Sequence, residues 1–225
     1  MKLLALDTAL DACSVAVLDD QTVLAVRSEP MQRGHQERIA PMVADAMAAA
    51  SLAFAELERI AVAVGPGSFT GLRVGLAFAK ATSLALDIPC IGVGTLEALA
   101  ASTPNCRSGL IAAAIDAKRD QVYLQAFRDG EALDPPTAID VDAAVARLEA
   151  LGFGNGGGLT GSGAALLAER LAGTAVVGGA GMDVVALGRL ALGKPAPDHR
   201  PQPLYLRAPD AKTIAERAAA AAATP

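Results

Sequence analysis

The chain has 225 residues, of which 52% are apolar and 3% aromatic, and it contains no Trp. This length allows one compact domain or two small ones with a core of small side chains. The 19 basic and 24 acidic residues give a formal charge of −5. That charge argues against direct nucleic-acid binding by the chain alone, because free-standing nucleic-acid binders normally carry a basic surplus.

The cysteines and the apolar segments indicate where the chain works. The chain has three isolated cysteines, Cys13, Cys90 and Cys106. Their isolation indicates buried free thiols in a reducing compartment. Asp7 and Asp11 interrupt the apolar start of the chain, so it does not have the pattern of a signal peptide. The apolar stretch 74–86 contains Lys80 and is too short to cross a bilayer. We therefore expect a cytoplasmic protein without a membrane segment.

The first half of the chain alternates between strand and helix patterns. Two short apolar runs flank a polar turn at 7–12, which predicts a strand, a turn and a second strand. The predicted elements are strands at 3–6 and 14–18, a helix from His35 to about Ala50, a strand at 59–64, a helix at 70–86, a strand at 90–93 and a helix from Thr95. This order is typical of a layered α/β domain.

The second half repeats the opening pattern. Three aspartates recur at one constant spacing in the chain, as the pairs Asp7 and Asp116, Asp11 and Asp120, and Asp20 and Asp129. A strand pattern at 122–127 lies between Asp120 and Asp129, as the pattern at 15–18 lies between Asp11 and Asp20. The repeat predicts two homologous lobes with a boundary near 102–108; chance agreement is the alternative.

We divide the chain into an N-terminal lobe at 1–103, a C-terminal lobe at 104–207 and an Ala-rich tail at 208–225. The second lobe shows helix patterns at 141–151 and 164–171 around a glycine-dense segment at 152–163. Prolines from residue 195 onward predict an extended path, because each fixes φ and lacks an N–H.

Two predicted helices carry seams of small or apolar residues. In the helix at 70–86 small residues recur every four positions, which would allow another helix to approach closely. In the helix at 35–50, Asp45 is the only charge after Arg38, and Ala40, Ala44 and Ala48 form a small stripe. A helix that is apolar nearly all round must be buried on more than one side, either by a partner or by the second lobe. The candidate partner-binding residues are His35, Ile39, Val43, Met47, Gly71, Gly75, Ala79 and Ser83.

Catalytic and metal-binding patterns are weak. The chain has two histidines, His35 and His199. A helical HxxxH metal site would need a second histidine where Ile39 stands, and no G-x-S-x-G nucleophile elbow occurs. We therefore assign no catalytic residue and no metal ligand.

A nucleotide site is the other candidate. Asp7 and Asp116 end matching strands, where two-lobed phosphotransferases hold a magnesium nucleotide between hairpins. Neither hairpin turn contains the glycine that would bring backbone amides to phosphates. Gly161 and Gly163 precede a helix and could accommodate an adenosine. These four residues form a weak nucleotide-site prediction.

The loop at 65–71 between a strand and a helix has two interpretations. Its glycines permit a tight turn that could cradle an anion at the helix N-terminus. It lacks the lysine and the spacing of a Walker A motif. The alternative is an ordinary strand-to-helix turn with Ser68 or Thr70 as the N-cap.

Five segments of the chain are read together: LALDT at 4–8, CSVA at 13–16, HQER at 35–38, GPGSFTGLRVG at 65–75 and PLYLR at 203–207. Together they resemble the bacterial TsaB (YeaZ) family, a degenerate relative of the TsaD family. The resemblance covers residues 1–100 well and 105–207 more patchily. The resemblance implies an α/β fold with two ribonuclease-H-like lobes of the actin, sugar-kinase and heat-shock-chaperone superfamily.

The resemblance also implies a function. It implies a non-catalytic subunit that supports the transfer of a threonylcarbamoyl group by TsaD to the tRNA adenine beside the anticodon. TsaD would bind the helices at 35–50 and 70–86 as a heterodimer, and the ATPase TsaE would join the complex. ATP or ADP and the metal are expected on those partners, and tRNA only through the complex. A homodimer is expected when the partner is absent. The alternative is an ATP-dependent small-molecule kinase or transferase that acts alone.

Overall fold

The computed structural model describes residues 1–104 and 109–207. Cys106, part of the predicted lobe boundary and the predicted Ala-rich tail lie outside these ranges. Within them, no helix is both long and apolar enough to span a membrane.

A five-stranded mixed sheet forms the first half of the fold. Its strands are β1 Lys2–Asp7, β2 Ala12–Asp19, β3 Thr22–Pro30, β4 Arg59–Gly65 and β5 Cys90–Gly94. Their order is β3-β2-β1-β4-β5. β1 and β2 form an antiparallel hairpin, whereas β4 pairs in parallel with β1 and β5 in parallel with β4.

The second sheet repeats this plan. Its strands are β6 Leu110–Lys118, β7 Gln121–Arg128, β8 Glu131–Ala132, β9 Thr137–Asp140, β10 Gly158–Thr160 and β11 Ala175–Val176. Their order is β11-β10-β6-β7-β8, and β9 also pairs with β7. The hairpin β6–β7 is antiparallel, and β10 and β11 are parallel to β6. The predicted α/β fold with two ribonuclease-H-like lobes is confirmed.

In the described part of the chain, six α-helices pack against these sheets. They are α1 His35–Ala49, α2 Phe69–Leu86, α3 Thr95–Ala101, α4 Val141–Ala150, α5 Ala164–Ala168 and α6 Val184–Gly193. Side chains alternate along β1 because successive residues of a strand point to opposite faces. Leu4 and Leu6 therefore share a core with α1 and α2, while Leu3 and Ala5 share one with α6.

Helix α6 follows the second sheet in the chain but packs against the first. Leu187 is fully buried among residues of β1, β2 and β4. The Arg59 guanidinium donates to the carbonyl oxygens of Ala191 at 2.8 Å and Lys194 at 2.7 Å, which adds charge-assisted hydrogen bonds at the C-terminal end of α6, where intrahelical donors run out. The division at residues 103 and 104 stays a prediction, and α6 ties the two halves of the chain together.

We expect Arg59→Met to lower the free energy of unfolding by about 1–3 kcal/mol, because two charge-assisted hydrogen bonds to the end of α6 are lost. Urea unfolding followed by circular dichroism measures this. The control is Arg128→Met at an exposed position of β7. Equal stability of the two variants would contradict the proposed capping role.

Candidate functional site

The carboxyl group of Asp7, at the end of β1, is turned into its own hairpin. Asp7 is 2% exposed, and its Oδ1 accepts the Ala9 N–H at 2.8 Å. Burial raises the pKa of Asp7 to about 7, although backbone N–H groups of Ala9 and Thr8 act in the opposite direction. A carboxyl group buried without a counter-charge favours its neutral form, which is a poor ligand for magnesium.

Asp116 occupies the matching position in the second hairpin. Its Oδ1 accepts the Lys118 N–H at 2.8 Å, as Asp7 accepts the Ala9 N–H, and its Oδ2 lies 2.6 Å from Lys118 Nζ. Partial burial raises the pKa of Asp116, but the hydrogen bonds and charge of Lys118 outweigh it and hold that pKa below its ordinary value. The two carboxyl groups are thus alike in geometry, but their pKa values are shifted in opposite directions, and each group accepts a hydrogen bond within its own hairpin.

The loop at 65–71 packs against the first hairpin. Ser68 caps α2 by accepting the Gly71 N–H at 3.2 Å, which confirms the N-cap interpretation for Ser68. The Ser68 N–H donates to Ala9 O at 2.8 Å. Thr8 Oγ1 donates to Gly71 O at 2.7 Å, and a Cβ at Gly71 would overlap Thr8 O. The glycine here allows α2 to touch the hairpin directly.

Gly161 and Gly163 allow an equally close contact between a loop and the hairpin in the second half of the chain. The Gly163 N–H donates to Ala114 O at 2.9 Å, and Ser162 Oγ accepts the Asp116 N–H at 3.1 Å. A Cβ at Gly161 would overlap Ala114 O. The structure thus places the four nucleotide candidates in two separate hairpin–loop contacts, and Gly161 and Gly163 lie close against β6.

All eight candidate partner-binding residues are buried in the monomer. Ile39, Val43 and Met47 join the core beneath α1, and Ala79 joins it beneath α2. A Cβ at Gly75 would overlap Thr8 Oγ1. The seam at 71–83 is therefore where α2 packs on its own lobe, and a partner that approached the two helices would meet other residues.

The outward faces of α1 and α2 form an exposed surface, here called the α1–α2 surface, whose exposed charges are Glu37, Asp45 and Arg73. Leu84 on α2 is 64% exposed. The surface also contains exposed alanines, which are Ala40, Ala44 and Ala48 on α1 and Ala77 and Ala81 on α2. The elements that pack most against α1 within the described ranges are β2, β3 and α2. The alternative that the second lobe covers this helix is not seen there.

The histidines occupy unlike surroundings. His35 begins α1 and is 6% exposed, and its buried Nε2 has no hydrogen-bond partner within the described ranges. Ile39, one turn later, is 3% exposed. His199 is exposed. Across residues 1–104 and 109–207, no three His, Cys, Asp or Glu side chains lie close enough to hold a metal ion.

The segment 203–207, for which the sequence predicted only an extended path, links the two halves of the chain. The Leu204 N–H donates to Val64 O at 2.7 Å, and Arg207 donates to Ala117 O in the second hairpin at 2.8 Å. Between these contacts Tyr205 lies 5.1 Å from the Phe69 ring. Arg73 stacks 4.0 Å above that ring and donates to the Tyr205 hydroxyl. The PLYLR segment therefore runs from the first sheet to the second hairpin.

Comparison with known proteins agrees with this architecture. A family model described as "TsaD: tRNA N6-adenosine threonylcarbamoyltransferase" matches residues 26–194. A tRNA threonylcarbamoyladenosine biosynthesis protein TsaB from Escherichia coli is 39% identical over 58% of this chain, and its Bacillus subtilis counterpart 38% over 58%. The matched region covers 57% of the length of each of these relatives.

Solved structures show the same fold. A Pseudomonas aeruginosa protein described as similar to the peptidase YeaZ covers 92% of this chain and 99% of its own, with a TM-score of 0.74 and 29% identity. YeaZ from Pseudomonas aeruginosa covers 85% and 91%, with a TM-score of 0.66 and 27% identity.

The fold and the two hairpin–loop contacts define an α/β protein of two similar lobes. The chain belongs to the family described by the TsaD model, and within it to the TsaB (YeaZ) group.

We expect Asp7→Asn to remove one component of the pH dependence of stability. The folded-state pKa of about 7 lies above the ordinary value of 3.8. The folded state therefore keeps a proton that the unfolded state releases, and stability is lost as the pH rises from ~4 to ~7. The asparagine variant should match the wild type near pH ~3, below the ordinary pKa, and exceed it at pH 8 by at most about 4 kcal/mol. Urea unfolding at both pH values checks this, and an unchanged difference between the proteins would contradict it.

We expect Gly71→Ala to destabilise the fold by about 1–3 kcal/mol, because the added methyl group must push Thr8 or α2 aside. The matched control is Gly193→Ala at the end of α6, where nothing lies within 4 Å of the added atom. Thermal unfolding of both variants compares them. A Gly71→Ala protein as stable as the control would show that the contact between α2 and the hairpin is not tight.

Proposed function

We propose that this chain is a non-catalytic subunit of the machinery that makes threonylcarbamoyladenosine in tRNA. The main support for the proposal is the α1–α2 surface, which is exposed and rich in alanine. In addition, the carboxyl groups of Asp7 and Asp116 are bound within their own hairpins. Large exposed apolar patches mark interaction sites, because burial of such surface is favourable. Membership of the TsaB group supplies the reaction to which this subunit contributes.

The hairpins support a role other than catalysis. Asp7 is buried and Asp116 is paired with Lys118, so neither carboxylate is presented to a magnesium nucleotide. Ile39 occupies the position where an HxxxH helix would place its second ligand. No observation favours an independent kinase or transferase activity over this role.

We propose TsaD as the partner that binds the α1–α2 surface, as a heterodimer. Ala40, Ala44 and Ala48 would let a facing helix approach closely, since small side chains permit short interaxial distances. TsaE would join that complex, and ATP or ADP and the metal would be held by those partners. The acidic chain would meet tRNA only through the complex, in the cytoplasm. Without a partner, a second copy would cover the same surface and form a homodimer.

We expect Ala44→Arg and Ala81→Arg each to weaken binding to TsaD by at least about tenfold, because a long charged side chain at the centre of a small-residue surface holds the partners apart. Analytical size exclusion and calorimetric titration with purified TsaD measure this. Ala165→Arg, at an exposed alanine of α5, is the control. If both surface variants bind TsaD as tightly as the control, the assignment of this surface is wrong.

A further inference from the structure

A crevice of about 880 Å³ is lined in part by α6, which packs on the face of the first sheet marked by Leu3 and Ala5, whereas α1 packs on the face marked by Leu4 and Leu6. One wall is formed by α3 and α6, and the other by β7, the β7–β8 turn and the segment that follows it. The crevice thus lies where α3 and α6 meet the second sheet. None of the hairpin or partner-surface residues described above line it.

The inner part of the crevice is apolar. Phe127 is 3% exposed and packs with Ala100 of α3. Ala186 and Leu190 of α6 and Pro136 also line the cavity. Such a floor can bury an aliphatic side chain, which releases water from both surfaces.

One buried polar side chain on this floor is only half used. Gln125 is 9% exposed and lies two residues from Phe127 on the same face of β7. Its Nε2 donates to Asp134 O at 3.0 Å, whereas its Oε1 accepts no hydrogen bond from any described residue. Because a fully enclosed unpaired oxygen would be costly, and Gln125 lines the cavity, we place this acceptor at the crevice surface.

The rim of the crevice is acidic. Four carboxylates line it, against two cations, and they are Glu97, Asp129, Glu131 and Asp183. Of the cations, Lys194 is already paired with Glu97 at 2.9 Å, and Arg189 lies 3.5 Å from Gln21 O. Asp183 caps α6, and Asp129 accepts the Gly109 N–H. Glu131 is exposed and has no hydrogen-bond or ion-pair partner within the described ranges.

We propose that this crevice binds a basic segment of a partner protein, with an arginine or lysine placed among the rim carboxylates and an adjacent apolar side chain on the floor. Glu131 and Gln125 Oε1 are acceptors without a partner in the described ranges, so an occupant that binds them must bring donors. A guanidinium group supplies several in a fixed plane. The excess of carboxylates repels nucleic acid, and the apolar floor distinguishes a peptide from a simple polycation. This inference does not depend on the function proposed above.

The test uses the full chain and three probes: an acetylated peptide that alternates leucine and arginine, one that alternates leucine and glutamate, and spermidine. Amide chemical-shift mapping by NMR should show that the arginine peptide perturbs the end of α3 and the β7–β8 turn. Glu131→Lys should weaken its binding at least about tenfold, since a like charge then faces the guanidinium group. Gln125→Leu should also weaken it. Glu169→Lys, an exposed charge reversal beyond α5, should leave it unchanged.

Three results would overturn the proposal. The first is no perturbation in the crevice with the arginine peptide, or an equal one with the glutamate peptide. The second is unchanged affinity in Glu131→Lys, a variant whose exposed position keeps folding out of question. The third is spermidine binding as tightly as the peptide, which would make the crevice a polyamine site. Binding to TsaD in the same variants is measured separately, so this proposal and the previous one fail independently.

Discussion

The contact between the first hairpin and the start of α2 determines how the rest of the molecule is used. Thr8 Oγ1 donates to Gly71 O, the Ser68 N–H donates to Ala9 O, and Asp7 lies buried beside them. These bonds use donors and acceptors that a hairpin in a nucleotide-binding protein would offer to a ligand. Because α2 lies directly on the hairpin, its small-residue seam faces inward and its remaining faces are left for solvent or a partner.

The second half of the chain has a matching hairpin–loop contact, but its aspartate lies in a different electrostatic environment. Gly163 donates to Ala114 O and Ser162 accepts from Asp116, as the loop before α2 binds the first hairpin. Burial raises the pKa of Asp7, whereas Lys118 forms an ion pair with Asp116 and holds the pKa of that carboxyl group below its ordinary value. A two-lobed frame is therefore retained, while both sets of hairpin groups bind within their own lobes. Such a fold suits a protein that binds partners on its surface, at the α1–α2 surface and at the crevice between α6 and β7.

Local patterns predicted most of the first sheet and its helices. The strands β1, β2, β4 and β5 are short apolar runs, the helices α1 and α2 carry a helical period of small and apolar residues, and the repeated aspartates predicted the second hairpin. β3 was missed because it is an edge strand, and its exposed Val23, Leu24 and Val26 do not follow a two-residue alternation. α6 was missed because it follows irregular glycine-rich chain and finds its core in the first sheet. The direction of the seam at 71–83 could not be predicted, since the same period suits a helix that packs on its own sheet or on a partner.

The most direct test is nucleoside analysis of bulk tRNA from cells that depend on this chain. The account predicts that a chain with both Asp7→Asn and Asp116→Asn restores threonylcarbamoyladenosine to the wild-type level, because those carboxyl groups take no part in chemistry. It predicts that a chain with both Ala44→Arg and Ala81→Arg, shown by circular dichroism to be folded, fails to restore it. The opposite result, with the modification lost in the aspartate variant and kept in the surface variant, would contradict the account.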